Sequence, residues 1–391
     1  MTLRRRDGIR QSIAPFMRFF NGPYAALAGD PATANFAVGN PHEMALPAYV
    51  EALRRHLEPR NTQWFAYKAS EPNARRAVAR GLSARTGLDW DPDDVAMTNG
   101  GFAAIAVALR TLLDPGDEAI FLSPPWFFYQ MQILTAGGVP VRVRLEPPRF
   151  DLDFAALERA ITPRTRVLVL NSPHNPGGRV YPLEDLRDLA RLLNGASART
   201  GTRIHLLSDE PYNRIVFDGR AFHSPAEVYP HTVVTYSYGK TLLAPGMRIG
   251  YLTTPPTMPE RERMREAIFV EQLAGGWAFP NADLQHAIDD LEALAIDVSA
   301  LERRRDRVVG ELRAIGYETT SPEGTFYILA RAPVADDLAF TAILNRQKVL
   351  VLPGSVVELP GWFRISLTAS DDMVARGLPG FAAALREATA A

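Results

Sequence analysis

The chain contains no cysteine. Disulfides, thiolate metal sites and a cysteine nucleophile are thereby excluded, while the redox compartment stays undetermined. Its seven histidines are scattered without metal-ligand spacing, so a metal enzyme is not expected. Charge of one sign is also missing. The net charge of -1 gives no footprint for a nucleic acid or an anionic membrane surface. The stretch from Met1 to Phe20 has no continuous apolar run. It is basic, broken by Gly8 and Pro15, and apolar only at Ile9, Ile13, Phe16, Phe19 and Phe20. A signal peptide or membrane span is not expected there, and the segment reads as an arm packing on the protein or on a partner subunit. A cytoplasmic location is expected. Internal repeats and low-complexity linkers are absent as well.

What is present is a chain of 391 residues, 47% apolar and 22% charged, long enough for a large core in two unequal domains. From about Asp91 to Tyr251, short apolar runs alternate with helix-period segments. Glu118–Ser123, Arg166–Asn171, Arg203–Ser208 and Thr232–Ser237 read as buried strands. Leu183, Leu186, Leu189, Ala190 and Leu193 form a helical stripe expected to stop at Gly195. Such alternation predicts an α/β fold with a mostly parallel sheet between helices. In these sheets, ligands bind beyond the carboxyl ends of the strands. After Pro280 a long helix is expected from about Leu284 to Ile315, its run Glu302–Arg307 forming a solvated face. Strand-like pieces follow at Gly324–Ala330, Val349–Leu352 and Trp362–Leu367, then a last helix. The expected division is an arm with part of a small domain at 1–44, a large domain at 45–280, and a smaller α+β domain at 281–391.

Polar clusters fall at the predicted strand ends. Thr98-Asn99-Gly100-Gly101-Phe102 opens an apolar helix, and its glycines expose backbone N–H groups suited to a phosphate. An ordinary strand-to-helix turn explains that segment alone at least as well. Ser123-Pro124-Pro125-Trp126-Phe127-Phe128-Tyr129 sets Trp126 at the rim, where an indole can stack on a planar ligand, while Phe127 and Phe128 read as core. Asn171-Ser172-Pro173-His174-Asn175-Pro176-Gly177-Gly178 is a turn-rich loop that holds Asn175 rigidly, with His174 in a structural role. In Ser208-Asp209-Glu210-Pro211-Tyr212, Asp209 is either a helix cap or a buried acid requiring a cation, and Tyr212 can face the same ligand. Lys240 stands eight residues before Arg248. An amine can form a Schiff base with a carbonyl, whereas a guanidinium grips phosphate oxygens in a fork. In this order the segments supply a phosphate loop, a stacking ring, an amide, an acid and a lysine.

From about Phe36 to Thr368 the chain resembles the class I/II aminotransferases of the fold type I pyridoxal-phosphate superfamily, related to aspartate and kynurenine aminotransferases. Asn171–Gly178 resembles Asn-Pro-x-Asn-Pro-Thr-Gly, Asp209…Tyr212 resembles Asp-x-x-Tyr, and Ser237–Arg248 resembles Ser-x-Ser-Lys…Gly-x-Arg. Ala37–Pro41, Pro322–Phe326 and Phe363–Ser366 match further signatures. The resemblance implies a seven-stranded, mostly parallel sheet, the cofactor pyridoxal 5'-phosphate, and amino-group transfer between an L-amino acid and a 2-oxo acid. It implies that Lys240 carries the cofactor and moves the proton at Cα. Asp209 would keep the ring nitrogen protonated. Asn175 and Tyr212 would hold the ring's O3′, and Trp126 would stack on the ring. Ser237, Arg248 and the Gly101–Phe102 amides would take the phosphate. Arg364 would fork onto the substrate carboxylate, with Gly39 beside it.

The chain departs from the family pattern at Gly239, Gly177 and Phe102, each removing a possible hydrogen bond. The family's phosphate-reaching tyrosine from a neighbouring subunit falls near Phe65-Ala66-Tyr67, where chemistry favours Tyr67 and spacing favours Phe65. A homodimer with a shared site is then implied. Two rivals remain at this stage. One keeps the cofactor but changes the reaction to a β-lyase, decarboxylase, cyclase or oxidase of specialised metabolism. The other is a cofactor-binding transcription regulator, for which the segment ahead of Phe36 is too short to hold a DNA-binding domain.

Overall fold

The structure is a computed structural model and describes residues 4–390; Met1–Leu3 and Ala391, part of the expected arm and last helix, lie outside the described residues. Strand β1 (Ala34–Asn35) comes first in the chain. It is followed by β2 (Val95–Thr98), β3 (Glu118–Ser123), β4 (Val139–Arg144), β5 (Thr165–Asn171), β6 (His205–Asp209), β7 (Thr232–Ser237) and β8 (Gly250–Thr253). These seven later strands form one sheet in the order β2-β8-β7-β6-β5-β3-β4. All neighbours are parallel except β8, which runs antiparallel to both β2 and β7. The central strands are buried along nearly their whole length, with apolar centres, because helices cover both faces. The fold is therefore the α/β fold with a mostly parallel sheet expected from the alternation, and its seven strands are the number that the resemblance implied.

Register decides what meets at the sheet's carboxyl edge. Asn171 of β5 is aligned with Asp209 of β6, and Asp209 with Thr235 of β7. Gly250 of β8 pairs with both Ser237 and Thr98. Residues separated by tens of positions in sequence are thus brought side by side at one level.

The remaining strands are β9 (Tyr327–Arg331), β10 (Val349–Leu350), β11 (Leu352–Pro353) and β12 (Trp362–Ser366). Strands β9, β11 and β12 form an antiparallel sheet, while β1 pairs in parallel with β10. The expected single strand Val349–Leu352 is thus split between two sheets.

Three local expectations need correction. The helix Leu183–Thr200 passes through Gly195 and ends at Gly201, whose φ of 66° supplies the left-handed cap; a Cβ at Gly195 would meet only open space. The long helix after Pro280 is two helices, Ala282–Glu292 and Val298–Ile315, because Asp297 caps the second by accepting from the Ala300 N–H at 3.0 Å. The run Glu302–Arg307 is not uniformly solvated. Arg305 is buried, donating to Asp218 at 2.7 Å and 3.0 Å and lying over the Phe217 ring.

Candidate active site

At the carboxyl edge of the large sheet is a cavity of about 150 Å³ lined by Gly101, Phe102, Ile105, Trp126, Asn171, Asn175, Asp209, Pro211, Tyr212, Ser237, Lys240 and Arg248. Every polar cluster nominated from the sequence between Gly101 and Arg248 contributes to this one space.

Lys240 lies on the short helix Tyr238–Thr241, directly after β7. Its Nζ is 5.8 Å from the Tyr212 ring centre and 5.6 Å from that of Phe326. The chain has three lysines, and the other two are ion-paired: Lys68 with Glu71 at 3.5 Å and Lys348 with Asp30 at 2.9 Å. Among the described residues Lys240 makes no such pair.

Asp209 ends β6 and is only 5% exposed. Its Oδ2 accepts from the Tyr129 hydroxyl at 2.5 Å and its Oδ1 from the Thr235 hydroxyl at 3.2 Å. Burial pushes its carboxyl up to about 6, against the downward pull of these two bonds and of Lys240. No cation within ion-pair distance compensates it among the described residues. Next to it, Glu210 is pushed up to about 7 by burial and is held by the Ser208 and Ser224 hydroxyls.

Helix Gly101–Leu112 points its amino end into the cavity, and no side chain caps it. Such an end attracts anions through free N–H groups and the helix dipole. Arg248 faces it with a left-handed backbone (φ 54°), its guanidinium bonded, among the described residues, only to the Pro245 carbonyl, at 2.8 Å. Partial desolvation holds that guanidinium below its usual range, although the residue as a whole is exposed. The close approach requires Gly100: its φ is 80°, and a Cβ there would stand 2.7 Å from an Arg248 nitrogen.

Arg364 lies in β12 and is 2% exposed. It donates to Asn175 Oδ1 at 3.0 Å and to the Ala37 carbonyl at 3.2 Å, and it stacks 3.9 Å from the Tyr327 ring centre. Its Nε is buried with no partner, and no carboxylate pairs with it among the described residues. Burial lowers its pKa, as expected for an uncompensated cation. Gly39 packs closely on Phe326 and Tyr327, where a Cβ would come within 2.5 Å of the Phe326 ring and 2.7 Å of the Tyr327 hydroxyl. Asn175 is fixed from behind by its own N–H, which donates to Asn171 Oδ1 at 2.7 Å. His174 is buried and neutral, pushed down to about 4 by burial.

Tyr67 does not reach this cavity. It is 88% exposed, its ring 5.1 Å from that of Phe279, and Phe65 is exposed beside it. Two groups behind the lining residues were given no role from sequence. Tyr129 was read only as the end of the Ser123–Tyr129 segment, yet its hydroxyl holds Asp209. Tyr327 was not singled out. Burial raises its phenol, but Lys240, Arg364 and the hydroxyl of Tyr212 together lower it, while Tyr212 itself is raised well above the usual range by burial and by Tyr327. The signal for Tyr327 was its place directly after Phe326 in a matched segment; for Tyr129, its spacing three residues after Trp126.

The family "Aminotransferase class I and II" matches residues 32–379. The chain belongs to that family. It is 34% identical over 348 residues to the aspartate/prephenate aminotransferase of Thermus thermophilus, covering 86% of this chain and 87% of that one. Among solved structures, an amino transferase from Eubacterium rectale superposes with a TM-score of 0.87 at 29% identity, covering 97% of this chain and 95% of the other. The aspartate aminotransferase of Thermus thermophilus with maleate gives 0.82 at 31% identity, covering 96% of each. The family and its fold favour transamination over the lyase, decarboxylase, cyclase or oxidase reading. No helix of this aminotransferase is long and apolar enough to cross a membrane among the described residues.

Proposed function

We propose that this aminotransferase uses pyridoxal 5'-phosphate, carried on Lys240, to move an amino group between an L-amino acid and a 2-oxo acid. One observation carries the reading. Among the described residues the site holds two guanidiniums without a counter-anion, the buried Arg364 and the exposed Arg248 facing the free helix end, and a buried acid without a counter-cation, Asp209. Buried charges of this kind are stable only when paired. A ligand set with a phosphate, a ring cation and a carboxylate complements all three. When bound, the cofactor supplies a carbonyl that condenses with amines and a ring that takes up the electron pair released at the substrate's Cα.

The chain's own groups do the rest. Arg248, the Ser237 hydroxyl and the free N–H groups at Gly101 and Phe102 would hold the phosphate. The ionised Asp209 would keep a proton on the ring nitrogen, with Tyr129 and Thr235 fixing its orientation. Asn175 and Tyr212 would hold the ring oxygen, and Trp126 would cover a ring face. Arg364, oriented by Asn175 and the Ala37 carbonyl, would fork onto the substrate's α-carboxylate beside Gly39. Fixing the carboxylate and the amine fixes the direction of the Cα–H bond, and Lys240, once freed, is the amine that takes and returns that proton. Tyr67 would serve the phosphate of a neighbouring copy, which makes the working form a homodimer in the cytoplasm, with shared sites.

Mixing the cofactor-loaded protein with an amino acid alone tests the reaction type. Transamination predicts one equivalent of 2-oxo acid per site and then a halt until a second 2-oxo acid is added. Continued release of ammonia, carbon dioxide or peroxide without that acceptor would refute it.

A further inference from the structure

Tyr327 touches two groups of the proposed site at once, Arg364 through its ring and Tyr212 through its hydroxyl. Register places it there. In the antiparallel pair β9–β12, Arg364 lies opposite Leu329 and Ser366 opposite Tyr327. Side chains alternate along a strand, so Tyr327 and Arg364 stand on one face of the sheet as diagonal neighbours. The ring backs the guanidinium, whose carbon lies 3.9 Å from the ring centre. That contact fixes the ring and therefore aims its hydroxyl.

The hydroxyl points to Tyr212. Both tyrosines are buried, their rings meet edge-on at 6.1 Å and 77°, and the two phenols share a hydrogen bond. Gly39 leaves room for that bond, since a Cβ there would stand 2.7 Å from the Tyr327 oxygen. The titratable groups facing the pair are Lys240 after β7, Arg364 of β12, Asp209 of β6 and Tyr129. Burial opposes charge on either phenol, but Lys240 and Arg364 favour it at Tyr327. Within the chain alone, Tyr212 is therefore the donor and Tyr327 the acceptor. A hydroxyl has a single proton to donate. Once Tyr212 spends that proton on a cofactor's ring oxygen, the bond between the two phenols persists only with Tyr327 as its donor.

We propose that Tyr327 is a positioning residue of this site, its hydroxyl donating to the Tyr212 oxygen so that the Tyr212 proton is committed to the cofactor's ring oxygen. The inference rests on the proposed cofactor reading and adds a residue that acts through Tyr212. A donor behind Tyr212 polarises it and strengthens the bond it makes in turn, by about 10–30%. A firmer hold on the negative ring oxygen makes the proton on the Lys240 nitrogen beside it easier to lose.

The test is the pH midpoint of the visible absorbance of the Lys240-bound cofactor, measured on the loaded full chain. Tyr327→Phe keeps the ring on Arg364 and removes only the donor. It should raise the midpoint by about 0.2–0.7 unit, the share of a strong charge-assisted bond that such polarisation supplies. In a Tyr212→Phe background the same substitution should cause no further change, because the effect runs through Tyr212. A purely structural Tyr327 would leave the midpoint where it is in both backgrounds, and that result overturns the inference. A downward shift overturns it too, since Tyr327 would then be drawing the Tyr212 proton away from the cofactor. Equal upward shifts in both backgrounds overturn the relay through Tyr212. A wild-type protein with no visible band beyond that of Lys240→Ala overturns the cofactor reading instead.

Discussion

Removing one hydroxyl, in Tyr129→Phe, should change how the cofactor-free protein responds to pH. The Tyr129 hydroxyl donates to Asp209 Oδ2 at 2.5 Å, with both groups buried. A hydrogen bond to a charged acceptor contributes about 1.5–3 kcal/mol, equivalent to about 1–2 pKa units at 1.36 kcal/mol each. Asp209 already sits at about 6 because of burial, so the variant should move it to about 7–8. The sign follows from linkage. An acid raised above its unfolded value contributes its full stability while protonated, below about pH 4, and loses it as pH rises through the folded value. The wild type therefore completes this loss near pH 6, whereas the variant goes on losing stability to about pH 8. Burial keeps Tyr129 itself protonated throughout, since its phenol is raised well above 10. Glu210, pushed to about 7, titrates in both proteins and cancels in the difference. Thermal melts of the two cofactor-free proteins from pH 4 to pH 8.5 measure the effect. The destabilisation by Tyr129→Phe should grow by about 1.4–2.7 kcal/mol between pH 5 and pH 8. A difference that stays constant with pH would refute the claim that Tyr129 holds the ionised form of Asp209.

Other substitutions test the remaining contacts. Gly100→Ala places a Cβ against the Arg248 guanidinium at a φ of 80°, at about 1–2 kcal/mol of backbone strain alone; cofactor affinity, read by equilibrium titration, should fall at least about tenfold, and an unchanged affinity would contradict the phosphate role. Arg364→Lys exchanges a fork for a point charge and should lower kcat/KM for amino acids by about 100-fold or more, while an amine lacking a carboxylate is converted at the wild-type rate; equal losses for both would contradict it. Tyr67→Phe should weaken cofactor binding about tenfold, one lost charge-assisted bond, whereas Phe65→Leu should not; the reverse result would assign the neighbouring phosphate to Phe65's position.

The sequence made the chemistry legible because each cluster ends a strand, and parallel strands stop at one edge. The register that aligns Asn171, Asp209 and Thr235 then converts sequence order into proximity. What stayed hidden depended on contacts without local signals. Tyr129 reaches Asp209 across 80 positions, and Arg305 finds Asp218 across 87. A charge run predicts an exposed face, and only the fold shows one member turned inward. Gly195 was read as a stop because glycine punctuates helices, yet with open space around it the helix simply continued to the left-handed Gly201. The split of Val349–Leu352 between two sheets has the same origin, since a short apolar run does not say which neighbours it pairs with.

The central claim is that Lys240 alone carries the cofactor. Borohydride reduction of the cofactor-loaded protein, followed by peptide mass mapping, tests it directly, because the chain has only three lysines, Lys68, Lys240 and Lys348. The account predicts the added mass on the Lys240 peptide and on neither of the others, with Lys240→Ala still binding cofactor but unlabelled and inactive. A label on Lys68 or Lys348, or full turnover in Lys240→Ala, would contradict it.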